Sequence, residues 1–378
     1  MADYLPEDVI VRIMQRLPIK SLIRFTCVSK RWRFIILSDP EFAMSQFQIA
    51  SHHQTLCHRL LICTVSISES FNSVDEFNSL DLDTPPPSPL GETSLVLRKV
   101  RCPLTQHPVT ILCSCNGLIL AALYDQENKM FIWNPSTQFF KKLPDPADLP
   151  SELLCFGFGY LLATDDYKVI ANFKVSDDYY VDEVEEEKKG KEMHIFSSKA
   201  NTWKRTEAPL DFDFDFEGTL SNEVLHWPDN FGIFAFDLAR EEFRRMPLPI
   251  PGGEGEFRYV RAFGDCLCAF DFANLDTASS IDLWVMKKYG VADSWTKLFN
   301  LKVSDQPEDI ICCFPVSVME TRTFLRIGTV PRDGEREFFD LVRIGHTKQK
   351  PEMHLLSRNT DLLHMFEYEE TLLCLASP

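Results

Sequence analysis

The sequence lacks the features that would tie it to a membrane, an export route or a disulfide framework. Its longest apolar stretch without a charge, Val109–Tyr124, is shorter than the roughly 20 residues that a membrane-spanning helix needs. Glu7 and Asp8 stand where an export signal needs basic and apolar residues. None of the 12 cysteines forms a C-x-x-C pair, and without an export signal reduced, buried thiols are expected. These absences predict a cytoplasmic or nuclear protein without a membrane anchor.

Catalytic and metal-binding patterns are also missing. No G-x-S-x-G or G-x-x-x-x-G-K motif occurs, and Gly157-Phe158-Gly159 lacks a third glycine and a following helix. The spacing of the histidines and cysteines near residue 55 fits no common zinc pattern, so we interpret them as junction residues: His52, His53, Cys57, His58 and Cys63. His226 is interpreted as a core histidine bonded to the backbone. We therefore predict a chain with no catalytic residues, no cofactor and no metal.

The charge is strongly acidic, with 39 Lys and Arg against 56 Asp and Glu and a net charge of −17. A net anion of that size repels phosphate backbones, which argues against nucleic acid as a partner. Residues 1–50 differ, since they carry seven basic and five acidic side chains. Residues 1–50 are therefore net basic, whereas the rest of the chain is strongly acidic.

The basic segment has a helical pattern. Val9, Ile13 and Leu17 recur every four residues, which predicts one apolar stripe on a helix that starts near Pro6 and stops at Pro18. Two further short helices are predicted over Ser21–Phe25 and Ser29–Ile36, and Asp39-Pro40 is a start signal for a fourth. Helices this short bury little apolar surface alone, so a partner is expected to cover the stripe.

From about residue 58 the pattern predicts strands. Asn116-Gly117 separates two apolar runs and is the favoured two-residue hairpin turn, in which both residues need a positive φ. Residues 211–216 alternate Asp and Phe, as expected for a strand with one buried face.

One local pattern recurs through this region: an apolar strand, a polar turn, an aromatic residue, basic residues and an apolar residue. Its copies begin at Phe131, His194 and Phe234, with a looser fourth copy at Leu283 and a candidate fifth at Phe339. A spacing of ~40–60 residues is typical of propeller blades and predicts about six to seven of them. An open sandwich of the same hairpins is the alternative. The aromatic residues of the repeats are predicted to form the blade core: Trp133, Phe196, Trp203, Phe236, Phe243, Trp284 and Trp295.

Two stretches are predicted to be insertions between strands. Thr84–Pro89 holds four prolines and cannot pair inside a sheet. Asp177–Lys191 carries a run of charges typical of a solvated loop.

The amino-terminal residues resemble the F-box. The resemblance covers residues 3–43 and is carried by Leu5-Pro6-Glu7-Asp8-Val9, Arg16-Leu17-Pro18-Ile19-Lys20-Ser21-Leu22 and Val28-Ser29-Lys30-Arg31-Trp32. Residues from about 95 onward resemble the plant F-box-associated, kelch-like domain. That looser resemblance rests on Cys115-Asn116-Gly117-Leu118-Ile119, Trp133-Asn134-Pro135-Ser136-Thr137, Phe156-Gly157-Phe158-Gly159-Tyr160 and Leu225-His226-Trp227.

The resemblance implies an α+β multidomain protein: a helical F-box over residues 1–46, a connecting segment over 47–94 with first strands and a proline-rich loop, and an all-β, propeller-like domain over 95–376. It implies the substrate receptor of a Skp–cullin–F-box ubiquitin ligase, which binds a Skp-type adaptor, through it a cullin, and an unidentified target protein. The residues implied to contact the adaptor are Leu5, Pro6, Val9, Ile13, Leu17, Pro18, Leu22, Val28 and Trp32.

Two other interpretations stay open at this point. The propeller could be a stand-alone lectin or enzyme with incidental helices, which would require convergent carboxylates, histidines or arginines at one mouth of its channel. Alternatively, the F-box could serve as a scaffold outside a ligase.

Overall fold

The structure of the protein is a computed structural model. It describes residues 5–65, 76–83, 96–104, 109–123, 129–146, 152–174, 192–209, 217–229, 231–250, 257–273, 280–303, 310–329, 338–347, 351–357 and 362–375. The predicted Asp/Phe strand at 211–216 and the two predicted insertions, Thr84–Pro89 and Asp177–Lys191, lie outside these residues.

Four helices open the chain, as the sequence predicts: α1 (Glu7–Met14), α2 (Ile19–Phe25), α3 (Lys30–Ser38) and α4 (Pro40–His52). α1 ends earlier than the predicted stop at Pro18, because a turn follows in which Leu17 N–H donates to Met14 O. The predicted cap of α4 is confirmed, since Asp39 Oδ1 accepts hydrogen bonds from the backbone N–H groups of Glu41 and Phe42 at 3.0 and 3.2 Å. Among the described residues, no helix is long and apolar enough to cross a membrane.

Apart from a short 3-10 helix at Ala292–Ser294, the remaining regular elements of the described chain are strands. The first sheet is made of β1 (His58–Val65), β2 (Glu76–Asp81), β3 (Arg98–Val100) and β24 (Leu362–Glu369). A second consists of β4 (Val109–Cys115), β5 (Leu118–Leu123), β6 (Met130–Trp133) and β7 (Phe140–Lys142). Two more are β16 (Phe257–Phe263) with β17 (Cys266–Asp271), β18 (Ser280–Met286) and β19 (Trp295–Lys302), and β20 (Ile310–Val318) with β21 (Arg322–Thr329), β22 (Phe338–Gly345) and β23 (Pro351–Ser357).

The remaining strands form one eight-stranded sheet: β8 (Glu152–Leu161), β9 (Asp166–Lys174), β10 (Glu192–Ser197), β11 (Thr202–Glu207), β12 (Glu217–Ser221), β13 (Val224–Pro228), β14 (Ile233–Asp237) and β15 (Glu242–Met246). The prediction of about six to seven blades is therefore wrong. The described residues form four separate four-stranded blades, and a short parallel pairing of β8 with β12 joins strands β8–β15 into a single sheet. This non-local pairing leaves no local sequence pattern.

The sheets are arranged as a closed, propeller-like ring rather than an open sandwich. Neighbouring first strands contact each other in the order β4, β8, β12, β16 and β20, and β24 lies between β20 and β4. The ring closes because β24, from the end of the chain, pairs antiparallel with β1, from its beginning, with His58 opposite Glu369. Radial repetition of this kind leaves only short, protected sheet edges, formed by the outer strands of the units.

The turns follow the predicted chemistry. Asn116 and Gly117 have φ of 51° and 77°, as the predicted hairpin requires. In three copies of the repeat a side chain caps the turn: Asn134 Oδ1 accepts from Ser136 N–H at 2.8 Å, Ser197 Oγ from Ala200 N–H at 3.1 Å, and Asp237 Oδ1 from Ala239 N–H at 2.9 Å. These copies are the third and fourth strands of successive four-strand units.

The predicted aromatic core is confirmed. Trp133, Phe196, Phe236 and Trp295 are buried, and the other aromatic residues of the repeats are half-buried. The 12 cysteines all lie in the described ranges and form no disulfide. Burial raises the pKa of the Cys113 and Cys115 thiols well above their usual range, which keeps them protonated.

Candidate functional site

The first candidate site is the apolar surface of the helical module, α1–α4. Of the nine side chains predicted to contact a partner, Leu5, Ile13 and Val28 are 58%, 49% and 60% exposed. Pro6 and Pro18 are also exposed, and the half-buried members are Val9, Leu17 and Trp32. Leu22 is the exception, because it is fully buried and supports the surface from inside. Phe34, which was not among the nine, is 53% exposed and adds to the uncovered apolar area.

The module is held together by short-range contacts. Ser29 Oγ accepts a hydrogen bond from Trp32 N–H at 3.1 Å and so caps α3. Arg31 Nε donates to Glu7 at 2.6 Å, which ties α3 to the first turn of α1. Leu22 packs with Met14, Ile36 and other apolar side chains in one buried cluster. The exposed leucine, isoleucine and valine are thus presented by a packed scaffold.

The end of the chain completes that cluster. Leu372 and Leu373, which follow β24, are buried among the helices, whereas Leu375 is buried in the core between sheets. We call residues 370–375 the C-terminal strap. It joins the helical module to the ring by packing into both, which the sequence analysis did not predict.

Buried polar groups fix the C-terminal strap against the ring. Asn134, fully buried, donates from Nδ2 to the carbonyl oxygens of Thr371 and Leu373 at 3.1 and 2.8 Å. Thr371 Oγ1 donates to Asn116 O at 3.0 Å. A Cβ at Gly117 would lie 2.4 Å from Glu369 O, so only glycine permits this close approach.

The two faces of the ring differ. Within each antiparallel unit, the turns between the first and second strands lie at one end. These turns are short, at 116–117, 162–165, 222–223, 264–265 and 319–321, and define what we call the turn face. α4, the start of β1 and the C-terminal strap lie at this face. The helical module therefore occupies the turn face.

The opposite end, which we call the loop face, is where the described chain leaves the outer strand of one unit, at 143–146, 208–209, 247–250 and 303. The turn between β13 and β14 also lies at this face and presents Phe231, which is 91% exposed. Asp229 Oδ1 holds that turn by accepting from the N–H groups of Phe231 and Gly232 at 2.9 and 2.6 Å. Aromatic residues are enriched in protein–protein interfaces, so Phe231 is a candidate contact residue.

The second candidate site is the central channel, a cavity of about 1050 Å³. Residues of β4, β12, β16, β20 and β24 line it, and Ser51 of α4, with Gln54 and Thr55 just after that helix, lies at its mouth on the turn face. Glu217, with Arg261 at 3.6 Å, lines the channel, and burial raises the pKa of its carboxyl group while Arg261 opposes the shift. Burial likewise raises the pKa of Glu369.

His58 and Glu367 form the clearest charged pair of the channel. Their Nδ1 and Oε1 atoms are 3.0 Å apart. The hydrogen bond to Glu367 raises the pKa of His58 to about 9, although desolvation opposes the rise. His58 is therefore protonated at neutral pH and is not available as a general base. Convergent ionisable groups are thus present at this mouth, but the histidine is already paired.

The predicted junction histidines and cysteines do not come together as a group. Cys63 is buried in β1, and His52 and His53 are exposed at the end of α4. Cys57 instead lies beside Asp81 and Asp83, with the candidate ligand atoms within 4.8 Å of one another. Burial raises the pKa of Cys57 to about 11, which makes its thiolate, the form that binds metals, unfavourable at neutral pH.

His226 has the structural role that was predicted. It is fully buried, its Nδ1 lies 3.1 Å from Thr219 O, and its Nε2 lies 2.7 Å from the Tyr289 hydroxyl. The imidazole therefore donates to the carbonyl and accepts from the phenol. Burial lowers the pKa of His226 to about 4, so the ring is neutral at physiological pH.

Comparison with protein families gives two matches. Residues 3–43 match the F-box domain, and residues 70–326 match the F-box associated beta propeller domain. The first match coincides with α1–α4, and the second covers most of the described strands.

Several curated relatives are similar along most of their length. The F-box protein CPR1 of Arabidopsis thaliana is 32% identical over 333 residues, which cover 79% of this chain and 73% of that protein. The F-box/kelch-repeat protein At3g23880 of the same plant is 26% identical over 321 residues and 79% of each chain. Among solved structures, a chain described as YCF48 bound to D1 peptide covers 77% of this chain and 80% of its own, with 8% identity and a TM-score of 0.37.

Proposed function

The chain belongs to the family of F-box proteins that carry an F-box associated beta propeller domain, and from that membership we propose that it is the substrate-recognition subunit of a Skp–cullin–F-box ubiquitin ligase. The observation that carries the proposal is the uncovered apolar surface of the helical module, centred on Leu5, Ile13 and Val28. Exposed apolar surface on a small, packed module is expected where a partner binds.

In this proposal the nine predicted residues serve the Skp-type adaptor in two ways. The exposed and half-buried members contact it directly. Leu22, which is buried, holds α2 in place beneath the surface. The adaptor in turn connects the chain to a cullin, in the cytoplasm or the nucleus.

The target protein is proposed to bind the loop face of the kelch-type propeller. The helical module already occupies the turn face, whereas the loop face presents exposed Phe231. Loops on a rigid scaffold are the usual place for recognition. The chain then acts by proximity, because it raises the effective concentration of the target near a ubiquitin-charged enzyme and performs no bond chemistry itself.

A role of the channel as a lectin or enzyme site is the alternative, and it would rest on the ionisable groups at the turn-face mouth. Glu367 is engaged with His58, and Glu217 lies beside Arg261. Ser51, Gln54 and Thr55, at and just after the end of α4, lie at the same mouth. The family relationship and the uncovered helical surface favour the receptor.

A binding assay with a purified Skp-type adaptor tests the proposal. We expect the double variant Leu5→Asp/Ile13→Asp to lose adaptor binding by at least about 100-fold, because two charges would be buried at the interface. The matched control is Leu162→Asp/Val96→Asp, which places the same charges at similarly exposed apolar positions of the β domain and should bind like the native chain. Equal binding by both variants, with both folded by circular dichroism, would show that the adaptor does not use this surface.

A further inference from the structure

A groove between the helical module and the first sheet has a charge opposite to that of the protein as a whole. It has a volume of about 370 Å³ and is lined on one side by α2 and on the other by residues around β3. Five exposed cationic side chains surround it: Lys20, Arg24, Arg98, Lys99 and Arg101. In a chain with a net charge of −17, such a cluster makes a local positive potential that attracts anions. We call it the basic groove.

Most of these cations have no carboxylate partner among the described residues. Lys99 pairs with Glu76 at 3.2 Å, at the exposed outer side. Within the described residues, Lys20, Arg24, Arg98 and Arg101 have no ion pair. Among the described residues that line the groove, the one acidic residue is Glu370, and it is already engaged with Arg59 on the groove floor.

The floor of the groove consists of buried polar side chains that are paired with one another. Arg59 is only 3% exposed and is held between Glu370 and Asp81, with 3.7 Å to the latter. Ser79 Oγ lies 3.0 Å from the Tyr368 hydroxyl, and both residues are buried. The half-buried side chains of Ile23 and Val100 add apolar surface beside the cations. The groove therefore offers both charge and apolar contact to a ligand.

These features identify the ligand class. A long polyanion such as a nucleic acid would meet the acidic remainder of the surface, which disfavours it. A small inorganic anion would leave the apolar part of the groove unused. We propose that the basic groove binds an Asp/Glu-rich segment of a partner protein, whose carboxylates meet the four uncompensated cations and whose apolar side chains pack on Ile23 and Val100. The proposal does not depend on adaptor binding by the helical surface.

Fluorescence anisotropy with the full chain tests the proposal. The probe is a short labelled peptide of repeating Glu-Glu-Leu-Glu, compared with the same peptide carrying Gln for every Glu. We expect the glutamate peptide alone to bind, and its affinity to fall as salt screens the charges. Arg98→Glu/Arg101→Glu should weaken binding about tenfold or more, and Lys20→Glu/Arg24→Glu should do the same from the opposite wall.

The matched control is Lys287→Glu/Lys288→Glu, which makes the same charge change at exposed lysines in the turn after β18 and should leave the affinity unchanged. All four substituted groove residues are exposed, so the variants should melt like the native chain. The proposal is overturned if the glutamate peptide does not bind, or if the control weakens it equally. It is also overturned if a single-stranded DNA oligonucleotide binds more tightly and loses its affinity in the groove variants.

Discussion

Asn134 is a single buried amide that serves two separate segments. Its oxygen accepts from the N–H groups of Ser136 and Thr137 and closes the turn after β6. Its nitrogen donates to the carbonyl oxygens of Thr371 and Leu373 in the C-terminal strap. The residue therefore links a local turn, visible in the sequence pattern, to a distant segment that the pattern does not reveal.

Removal of this amide should be costly. We expect Asn134→Ala to lower the free energy of unfolding by about 3 kcal/mol, because two buried carbonyl groups lose their donor. Asn134→Asp separates the two functions, since the carboxylate can still cap the turn but faces the strap carbonyls with oxygen instead of N–H. Chemical denaturation should therefore find Asn134→Asp no more stable than Asn134→Ala. A fully stable aspartate variant would contradict the role of the amide nitrogen.

His226 should make the protein sensitive to acid. The unfolded chain takes up a proton at His226 below its ordinary pKa of 6.5, whereas the folded chain does so only near its lowered pKa of about 4. Stability is thus lost as the pH falls from 6.5 to 4, by about 3 kcal/mol at the low end.

The measurement is the melting temperature against pH for the native chain and for His226→Gln. The variant should be less stable at pH 7, because Thr219 O and the Tyr289 hydroxyl lose their hydrogen bonds to the imidazole. However, it should lose less stability between pH 6.5 and 4. Parallel curves for the two proteins would show that His226 does not titrate in this window.

At the scale of elements, the C-terminal strap is the feature that connects the two parts of the molecule. Its leucines complete the helical cluster and its hydrogen bonds attach it to the ring beside Gly117. A module of four short helices has little core of its own. Its fixed position on the turn face therefore depends on side chains that come from the far end of the chain.

Shortening both leucines should loosen the helical module selectively. For Leu372→Ala/Leu373→Ala we expect a loss of several kcal/mol, about 2–5 for each buried leucine. Hydrogen exchange should rise over α1–α4 and stay near native over β16–β19, whose buried residues belong to clusters that contain no strap residue. Uniform acceleration of exchange across the ring would indicate that the strap stabilises the whole fold rather than the attachment of the helices.

Elements with local signals were predictable from the sequence, and elements defined by distant contacts were not. Asp39, Asn116-Gly117 and the capped turns of the repeats act within a few residues, so their sequence identifies them. The pairing of β8 with β12 and the burial of Leu372 depend on segments that are far apart in sequence. At the helical surface, periodicity predicted the apolar stripe but could not show that Leu22 points inward. The basic groove was missed because its cations come from separate segments.

At the scale of the whole molecule, the ring separates the two proposed binding surfaces. Pairing of β24 with β1 brings His58 and Glu369 to the turn face, where the helical module and the strap are attached. At the loop face, Phe231 is exposed. In the proposed receptor role, the adaptor would therefore bind at one end of the ring and the target at the other.

Hydrogen exchange of the full chain, with and without a purified Skp-type adaptor, tests this account most directly. We expect protection confined to the helical module around Leu5, Ile13 and Val28, with unchanged exchange at Phe231 and the other described residues of the loop face. Protection at the loop face, or no protection in the helices, would contradict it.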